Sequence, residues 1–427
     1  MRLLLVHPHF PYPGKDLFPL GLGYLAASVE DLAEVRVIDE SVERVTPERL
    51  REFSPEFVGI TATTPSFARA KEIIKVVRQT LPEAKVIIGG THATFRPGEV
   101  LTAGAEVVVR GEGEETLREL LAGRELRKIK GISYLEEGEV VHNQERELIQ
   151  NLDALPMPAW RYFPLHAYRV MSLISARGCV YRCTYCSAAQ FWRRRVRFRS
   201  PRNVVEEVER LYSMGFRRLR FMDSTFTLDK GRALEICSLI EELGYSDLSW
   251  SCETRADHLD GELLDALKSA GCTLICIGVD SGAQQVLDAC RRGITVEQLR
   301  EAILMAKERG IKVRAYVTFG FPGESAESVR ATVRLLEETK PEQILLSLAT
   351  AYPGTELERG RFVEVHENWV KKFHGHGYGA RLYFPETLSR REYTKLGDYI
   401  YREVRRINRE LRQSGKDSQE GRVPHSG

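Results

Sequence analysis

Two rounds of strand–helix alternation, separated by a pair of prolines, constrain most of what this 427-residue chain can fold into. Arg2 to Val6, Val35 to Ile38, Phe57 to Thr61, Lys85 to Ile88 and Glu106 to Val109 are apolar runs of strand length. Phe18 to Val29 reads as a loop entering a helix, with Pro19 near its start. Phe67 to Thr80 reads as a second helix, and another follows Glu114 to about Leu121. Strands that alternate with helices pair in parallel, so residues 1–127 are expected to form a doubly wound, Rossmann-like α/β sheet.

A sheet of this kind takes its ligand beyond the carboxyl ends of its strands. Small and polar residues gather at those ends: Asp39 closes the second run, Thr61 the third, Gly89-Gly90-Thr91-His92 the fourth and Gly111-Glu112-Gly113-Glu114 the fifth. Leu20 and Gly21 stand where the first helix begins. Glycines here would let a ligand approach the backbone; the other reading is that they only close tight turns. No G-x-G-x-x-G follows the first run, which disfavours a dinucleotide.

Residues 128–165 read as a hairpin and linker, with short strands at Ile132–Leu135 and Val140–Val141, and Asp153-Ala-Leu-Pro-Met-Pro158 marks the domain boundary. The alternation restarts at Met171. Its strands are Met171–Ala176, Leu219–Met222, Leu248–Cys252, Thr273–Val279, Val313–Phe319 and Ile344–Ala349. The helices between them begin near Pro201, Asp229, Asp260, Val296 and Ser325. Six βα units over residues 166–355 predict a partial TIM-type barrel with its site at the C-terminal rim. Residues 356–427 are expected to be a small, mostly helical piece, with a helix over Ser389–Leu411 and a disordered tail after it. His374-Gly-His-Gly-Tyr378 within it reads as a lid or as a plain loop.

Just after the first barrel strand stands Ser175-Ala-Arg-Gly-Cys-Val-Tyr-Arg-Cys-Thr-Tyr-Cys186. Cys179, Cys183 and Cys186 are close enough to reach one metal centre, and thiolates suit iron–sulfur clusters or zinc. Three ligands leave a position open, as a catalytic centre needs. A zinc knuckle would need a further ligand, and no second C-x2-C or His pair follows. The other five cysteines, Cys237, Cys252, Cys272, Cys276 and Cys290, read as core filling. Net charge is only +2, which gives no whole-chain attraction to a polyanion. The apolar start, Met1 to Val6, is too short for a signal peptide or a membrane span, and a cytoplasmic protein without a membrane span is expected.

The cysteine spacing, with Tyr185 just before the last cysteine, resembles the radical S-adenosylmethionine (SAM) superfamily. In that family the three cysteines hold a 4Fe–4S cluster and SAM chelates its open iron. The resemblance makes Cys179, Cys183 and Cys186 the metal-binding and catalytic set and Tyr185 the aromatic beside the adenine. It further implies SAM contacts from Asp223, from Asp280 and Ser281 in Gly278-Val-Asp-Ser-Gly282 (with Asp280 where the family has Glu), from Gly320 and from Tyr352. The first half is similar to the cobalamin-binding domain of one large class of these enzymes, through Pro19-Leu-Gly-Leu-Gly-Tyr24, Gly89-Gly-Thr-His92 and Gly111-Glu-Gly-Glu114. Leu20, Gly21, Asp39, Thr61, Gly89, Gly90, Thr91, His92, Gly111, Glu112, Gly113 and Glu114 are its implied cofactor contacts. The Asp-x-His-x-x-Gly motif that carries a cobalt ligand elsewhere is absent, and His92 stands outside it.

The class resemblance implies a methyltransferase. SAM cleavage gives a 5′-deoxyadenosyl radical, the radical takes hydrogen from an unactivated carbon, and methylcobalamin delivers the methyl group. An external one-electron reductant is required. A peptide, a protein side chain or a small natural-product precursor is the expected substrate. Cyclisation or rearrangement without methyl transfer is the first alternative. A tRNA-modifying enzyme is the second, suggested by Phe191-Trp-Arg-Arg-Arg-Val-Arg-Phe-Arg199, although nucleic acid is disfavoured because no RNA-binding domain is appended. A non-enzymatic cobalamin sensor or electron carrier is the third, and the SAM-contact motifs argue against it.

Overall fold

β1 (Arg2–His7), β2 (Glu34–Asp39), β3 (Phe57–Thr61), β4 (Lys85–Gly89) and β5 (Val107–Val109) fall within two residues of the runs read from sequence. They belong to a computed structural model that describes residues 1–9, 17–374 and 380–420, with side chains to residue 413. These five strands pair in parallel in the order β2-β1-β3-β4-β5. Alternate residues serve opposite faces, as the pleat requires. Leu3, Leu5, Ile87 and Val109 pack with the helices Leu20–Val29 and Glu114–Leu121; Leu4, Val6, Ile60 and Ile88 pack with the helix Phe67–Thr80.

The hairpin expected in the linker belongs to this sheet instead. β6 (Ile132–Glu136) pairs antiparallel with β5, and β7 (Glu139–His142) with β6. The physical reason is the edge: β5 would otherwise expose unpaired backbone, and the hairpin covers it.

The second sheet contains β8 (Met171–Leu173), β11 (Arg218–Phe221), β12 (Ser249–Thr254), β13 (Cys272–Asp280), β14 (Lys312–Phe319) and β15 (Gln343–Leu348), all parallel and neighbours in that order. β8 and β15 do not pair with each other, so the barrel is partial. Five of its helices start one residue after a side chain that accepts from their own first turn: Ser200, Asp229, Asp260, Thr295 and Ser325. Cys237, Cys252, Cys272, Cys276 and Cys290 are all buried.

The expected strand Met171–Ala176 breaks in two. After β8 the chain leaves the sheet, and β9 (Ala176–Gly178) pairs antiparallel with β10 (Val196–Phe198). The break is held at Ser175, whose N–H and hydroxyl donate to the buried Asp223 carboxylate at 3.1 and 2.7 Å. Arg232 donates to the Ser175 carbonyl at 2.7 Å. The result is a two-stranded ribbon with residues 179–195 at its tip.

After β15 the chain is not only helical. β16 (Thr350–Ala351), β17 (Phe362–Val363) and β18 (Arg381–Tyr383) form a small antiparallel sheet in the order β16-β18-β17. The last helix runs Arg390–Glu420, beyond the Leu411 expected, and no proline interrupts that segment. Residues 421–427 of the expected tail, and 375–378 of the His-Gly segment, lie outside the described residues. The last helix lies along the open edge of β15, where the Asn408 amide bonds both the N–H and the carbonyl of Ile344 at 2.9 Å. No helix among the described residues is long and apolar enough to cross a membrane.

Candidate active site

Cys179, Cys183 and Cys186 are half-buried free thiols on the tip of the ribbon. Their loop is pinned to the barrel from both sides: Thr184 N–H donates to the Cys290 carbonyl at 3.1 Å, and Glu356 N–H donates to the Thr184 carbonyl at 2.9 Å. Burial pushes the Cys186 thiol up to about 11 and raises Cys179 as well, although Arg255 and Arg292 pull Cys179 down. Three free thiols on one short loop, with no carboxylate or imidazole from the loop itself, are the donor set of a cubane, which takes each thiolate on a different iron.

Around the loop Tyr185, Asp280, Arg292 and Phe321 form one connected set. The Tyr185 hydroxyl donates to Asp280 at 2.8 Å, and its ring lies 4.6 Å from that of Phe321. Arg292 Nε donates to the same Asp280 oxygen at 2.6 Å. Asp280 takes a left-handed φ of 59° at a bulge in β13, which a short polar side chain tolerates better than most. Ser281 is buried against Thr332, Gly320 against the Tyr393 ring, and Tyr352 begins the turn that reaches Glu356. Asp223 is turned inward onto Ser175, so it supports the ribbon. Sequence reasoning missed Arg255. It is buried, it sits 3.6 Å above the Tyr181 ring, and it pairs with Asp257, yet its Nη1 has no hydrogen-bond partner. An orphaned, buried guanidinium nitrogen next to the thiols suits a carboxylate, the charge that SAM carries.

A cavity of about 470 Å³ opens at the strand ends of the first sheet. Leu20, Gly21, Thr61, Gly89, Gly90, Thr91, Gly111, Glu112, Gly113 and Glu114 all line it. A Cβ added at Gly21 or Gly111 would meet nothing within 4 Å and would project into this space, so the backbone there is bared to whatever fills it. The far wall comes from the second half of the chain, through Ile174, Ala176, Gly178, Trp192, Met222 and Ser224. Leu5, Leu22, Leu25, Ile87 and Leu117 make its inner end apolar. Bare backbone at the rim and an apolar slot beneath fit a large, flat, amide-fringed ligand with a heteroaromatic tail, as cobalamin is.

Two expected contacts are not on this wall. His92 is buried beneath it, stacked 4.1 Å from the Phe67 ring, with Nδ1 3.1 Å from the Thr64 hydroxyl; burial pushes its pKa down. Asp39 is buried too, accepting from the Tyr168 hydroxyl at 2.8 Å and the Ser41 hydroxyl at 2.7 Å, with His7 Nδ1 at 3.0 Å. Although burial pushes it up, bonds from His7 and Ser41 hold its carboxyl below the ordinary range. The histidine that does line the cavity is His7, oriented by Asp39.

Glu112 and Glu114 line the cavity but spend their carboxylates on the ribbon. Arg177 of β9 donates to Glu112 at 2.7 Å and to Glu114 at 2.6 Å; Arg197 of β10 donates to Glu112 at 2.6 Å. All four side chains are buried. Beside them Arg199 pairs with the buried Glu207 and donates to the Ile174 carbonyl at 2.8 Å. This ion-pair core joins the thiol-bearing ribbon to the first sheet.

Residues 173–336 match the model of the radical SAM superfamily, and residues 12–121 that of the B12 binding domain. An uncharacterized methyltransferase of Pyrococcus horikoshii is 35% identical, over 84% of this chain and 82% of its own. An anaerobic magnesium-protoporphyrin IX monomethyl ester cyclase of Cereibacter sphaeroides is 32% identical, over 84% of this chain and 63% of its own. Among solved structures, the radical SAM methyltransferase TsrM from Kitasatospora setae, with cobalamin and a 4Fe–4S cluster bound, shares the fold. It superposes with a TM-score of 0.76 over 95% of this chain and 89% of its own, at 22% identity. With both family models matched and a relative this similar over most of both lengths, the chain belongs to the cobalamin-dependent radical SAM enzymes, whose cofactors are a 4Fe–4S cluster, SAM and cobalamin.

Proposed function

We propose that this enzyme methylates an unactivated carbon of a peptide, a protein side chain or a small natural-product precursor. The observation that carries the reading is the cavity walled by both sheets, with the thiol ribbon on one side of it and bared backbone on the other. Cys179, Cys183 and Cys186 would each hold an iron, Arg255 would pair with the SAM carboxylate, and Gly21, Gly89, Gly90 and Gly111 would bring their backbone against cobalamin. When bound, the cluster and SAM supply a hydrogen-abstracting radical, and cobalamin supplies the methyl group. The chain's own part is placement and exclusion of water. Tyr185 and Arg292 meet on Asp280, so the thiol loop and the rim of β13 move as one. Leu5, Leu22, Leu25, Ile174 and Met222 keep the space between the halves apolar, which protects a reactive carbon from solvent. A ring-forming outcome is the second reading, favoured by the likeness to a cyclase.

The test is anaerobic reconstitution with iron, sulfide and hydroxocobalamin, followed by SAM, reductant and candidate substrates. Methyl transfer requires both 5′-deoxyadenosine and S-adenosylhomocysteine as products. Deoxyadenosine with cobalamin bound but no homocysteine product, with a turned-over substrate, favours ring formation. A chain that retains no cobalamin overturns the reading of the first sheet.

A further inference from the structure

The arginine-rich segment Phe191–Arg199 divides in two. Arg197 and Arg199 are internal, paired with Glu112 and Glu207. Arg193, Arg194 and Arg195 are exposed. Arg193 pairs with Glu145 at 3.0 Å, but Arg194, Arg195 and the exposed Arg182 have no ion-pair partner among the described residues. The turn that carries them is rigid. Arg193 and Arg194 hold left-handed φ angles of 52° and 55°, and Arg194 N–H donates to the Ala189 carbonyl at 2.7 Å. Two such non-glycine residues in succession are unfavourable in an unconstrained chain, so the presentation of these arginines is built in.

Between Arg182 and Arg194 a crevice runs to the sulfur-bearing residues Cys183 and Cys186. Its free space is about 10 Å³, room for no more than a water molecule, so no substrate enters there. Its one acid, Glu356, is paired with Arg291 at 2.7 Å. The surface nearest the thiols is therefore cationic and closed to small ligands. An electron can cross such a closed contact, whereas an atom needs an open path.

We propose that Arg182, Arg194 and Arg195 form the docking surface for an acidic one-electron carrier protein. This rests on the reading of the three cysteines as cluster ligands. One electron leaves the carrier, which is oxidised by one, and enters the cluster, which is reduced by one; no bond forms or breaks. Contacts of this kind are small and transient, and charge complementarity acts on their on-rate.

The experiment uses the reconstituted holoenzyme and two donors: reduced flavodoxin, an acidic protein, and dithionite, which needs no docking. Stopped-flow absorbance follows cluster reduction at low and high salt. In the Arg194→Glu/Arg195→Glu enzyme the flavodoxin rate constant should fall at least tenfold and lose most of its salt dependence. Dithionite should still give the wild-type EPR amplitude. Arg194→Gln/Arg195→Gln should lie between, and it serves if the charge reversal misfolds. A variant reduced by flavodoxin at the wild-type rate overturns the proposal. So does loss of labelled tRNA binding in these variants with the flavodoxin rate unchanged, which would assign the surface to RNA. If neither donor reduces the wild-type enzyme, the cluster reading itself fails.

Discussion

Arg255 is a buried arginine near the thiols with an unused nitrogen, and its role can be separated from folding. Two of its nitrogens are used on Asp257 and the Arg292 carbonyl, leaving Nη1 alone. A charge-assisted hydrogen bond contributes about 1.5–3 kcal/mol. Arg255→Met should therefore weaken SAM binding roughly tenfold to a hundredfold. Equilibrium dialysis against labelled SAM, with iron content measured alongside, checks this; unchanged affinity at full iron removes Arg255 from the site. Glu324 makes a pH prediction. Burial pushes its carboxyl from about 4.5 up to about 7, while Gly320 N–H at 3.1 Å and the Ser328 hydroxyl oppose the shift. The folded state thus holds the proton more tightly than the unfolded one. The stability this gives is fully present below about pH 4.5 and is lost as pH rises through about 7. Compared with Glu324→Gln, the wild-type chain should lose on the order of 3 kcal/mol between these limits, read from denaturant unfolding at each pH. Residue identity was easier to read than side-chain direction. Eight residues placed by sequence at the strand ends share one cavity wall with Leu20 and Gly21 of the first helix, because the ends of a parallel sheet converge whatever their side chains do. His92 and Asp39 fail to reach it because their side chains pack back into the fold, on Phe67 and Tyr168, contacts made across 25 and 129 positions of chain.

At the level of elements, the ribbon β9–β10 is the part the sequence hid. Of its two buried arginines, Arg177 stands in the cysteine stretch and Arg197 sits in a basic run, which reads as a solvated face. Their burial depends on Glu112 and Glu114, at least 63 positions away in the chain. Glu112→Gln leaves two buried guanidiniums facing a neutral amide, which should cost about 3–5 kcal/mol. Unfolding by urea measures the loss, and the ribbon's share appears as reduced iron content after reconstitution. Gly178→Ala attacks the same ribbon sterically. Gly178 has φ 126°, and its added Cβ would fall 1.9 Å from the Arg195 carbonyl oxygen. This variant should lose the cluster's EPR signal, while cobalamin binding should weaken but persist, since Gly178 borders only the far wall and the glycine backbone of the first sheet is untouched. A variant with a full cluster would show that the ribbon tolerates a backbone shift. By contrast, apart from the broken first barrel strand, the strands of both sheets and the starts of the helices that were read were legible to within about two residues, since apolar runs and Ser, Thr or Asp caps are local signals. The small sheet β16-β18-β17 was not legible: its strands are two or three residues long and their partners lie distant in sequence.

For the whole molecule, the question is whether the two sheets behave as independent bodies. Three links argue that they do not. Glu112 and Glu114 hold the ribbon, Tyr168 just before β8 donates to Asp39 at the end of β2, and the cavity takes walls from both halves. The links differ in what removes them. The ion pairs and the Tyr168 bond persist without cofactor, so the apo chain should melt in one transition rather than two. Cobalamin adds the third link. A ligand that binds only the folded state stabilises by about 2.7 kcal/mol at a hundred times its dissociation constant. Because its cavity spans both halves, that gain should move the whole transition and should not split it. Differential scanning calorimetry with and without hydroxocobalamin reads both expectations, and Glu112→Gln with Tyr168→Phe provides the counterpart. If the double variant melts in two steps and cobalamin shifts only the step that carries the first sheet, the polar links are what make the halves one body. If the variant still melts in one step, the apolar packing of Trp160, Phe163 and Phe18 across the same junction suffices, and the buried ion pairs serve to place the ribbon rather than to hold the halves together.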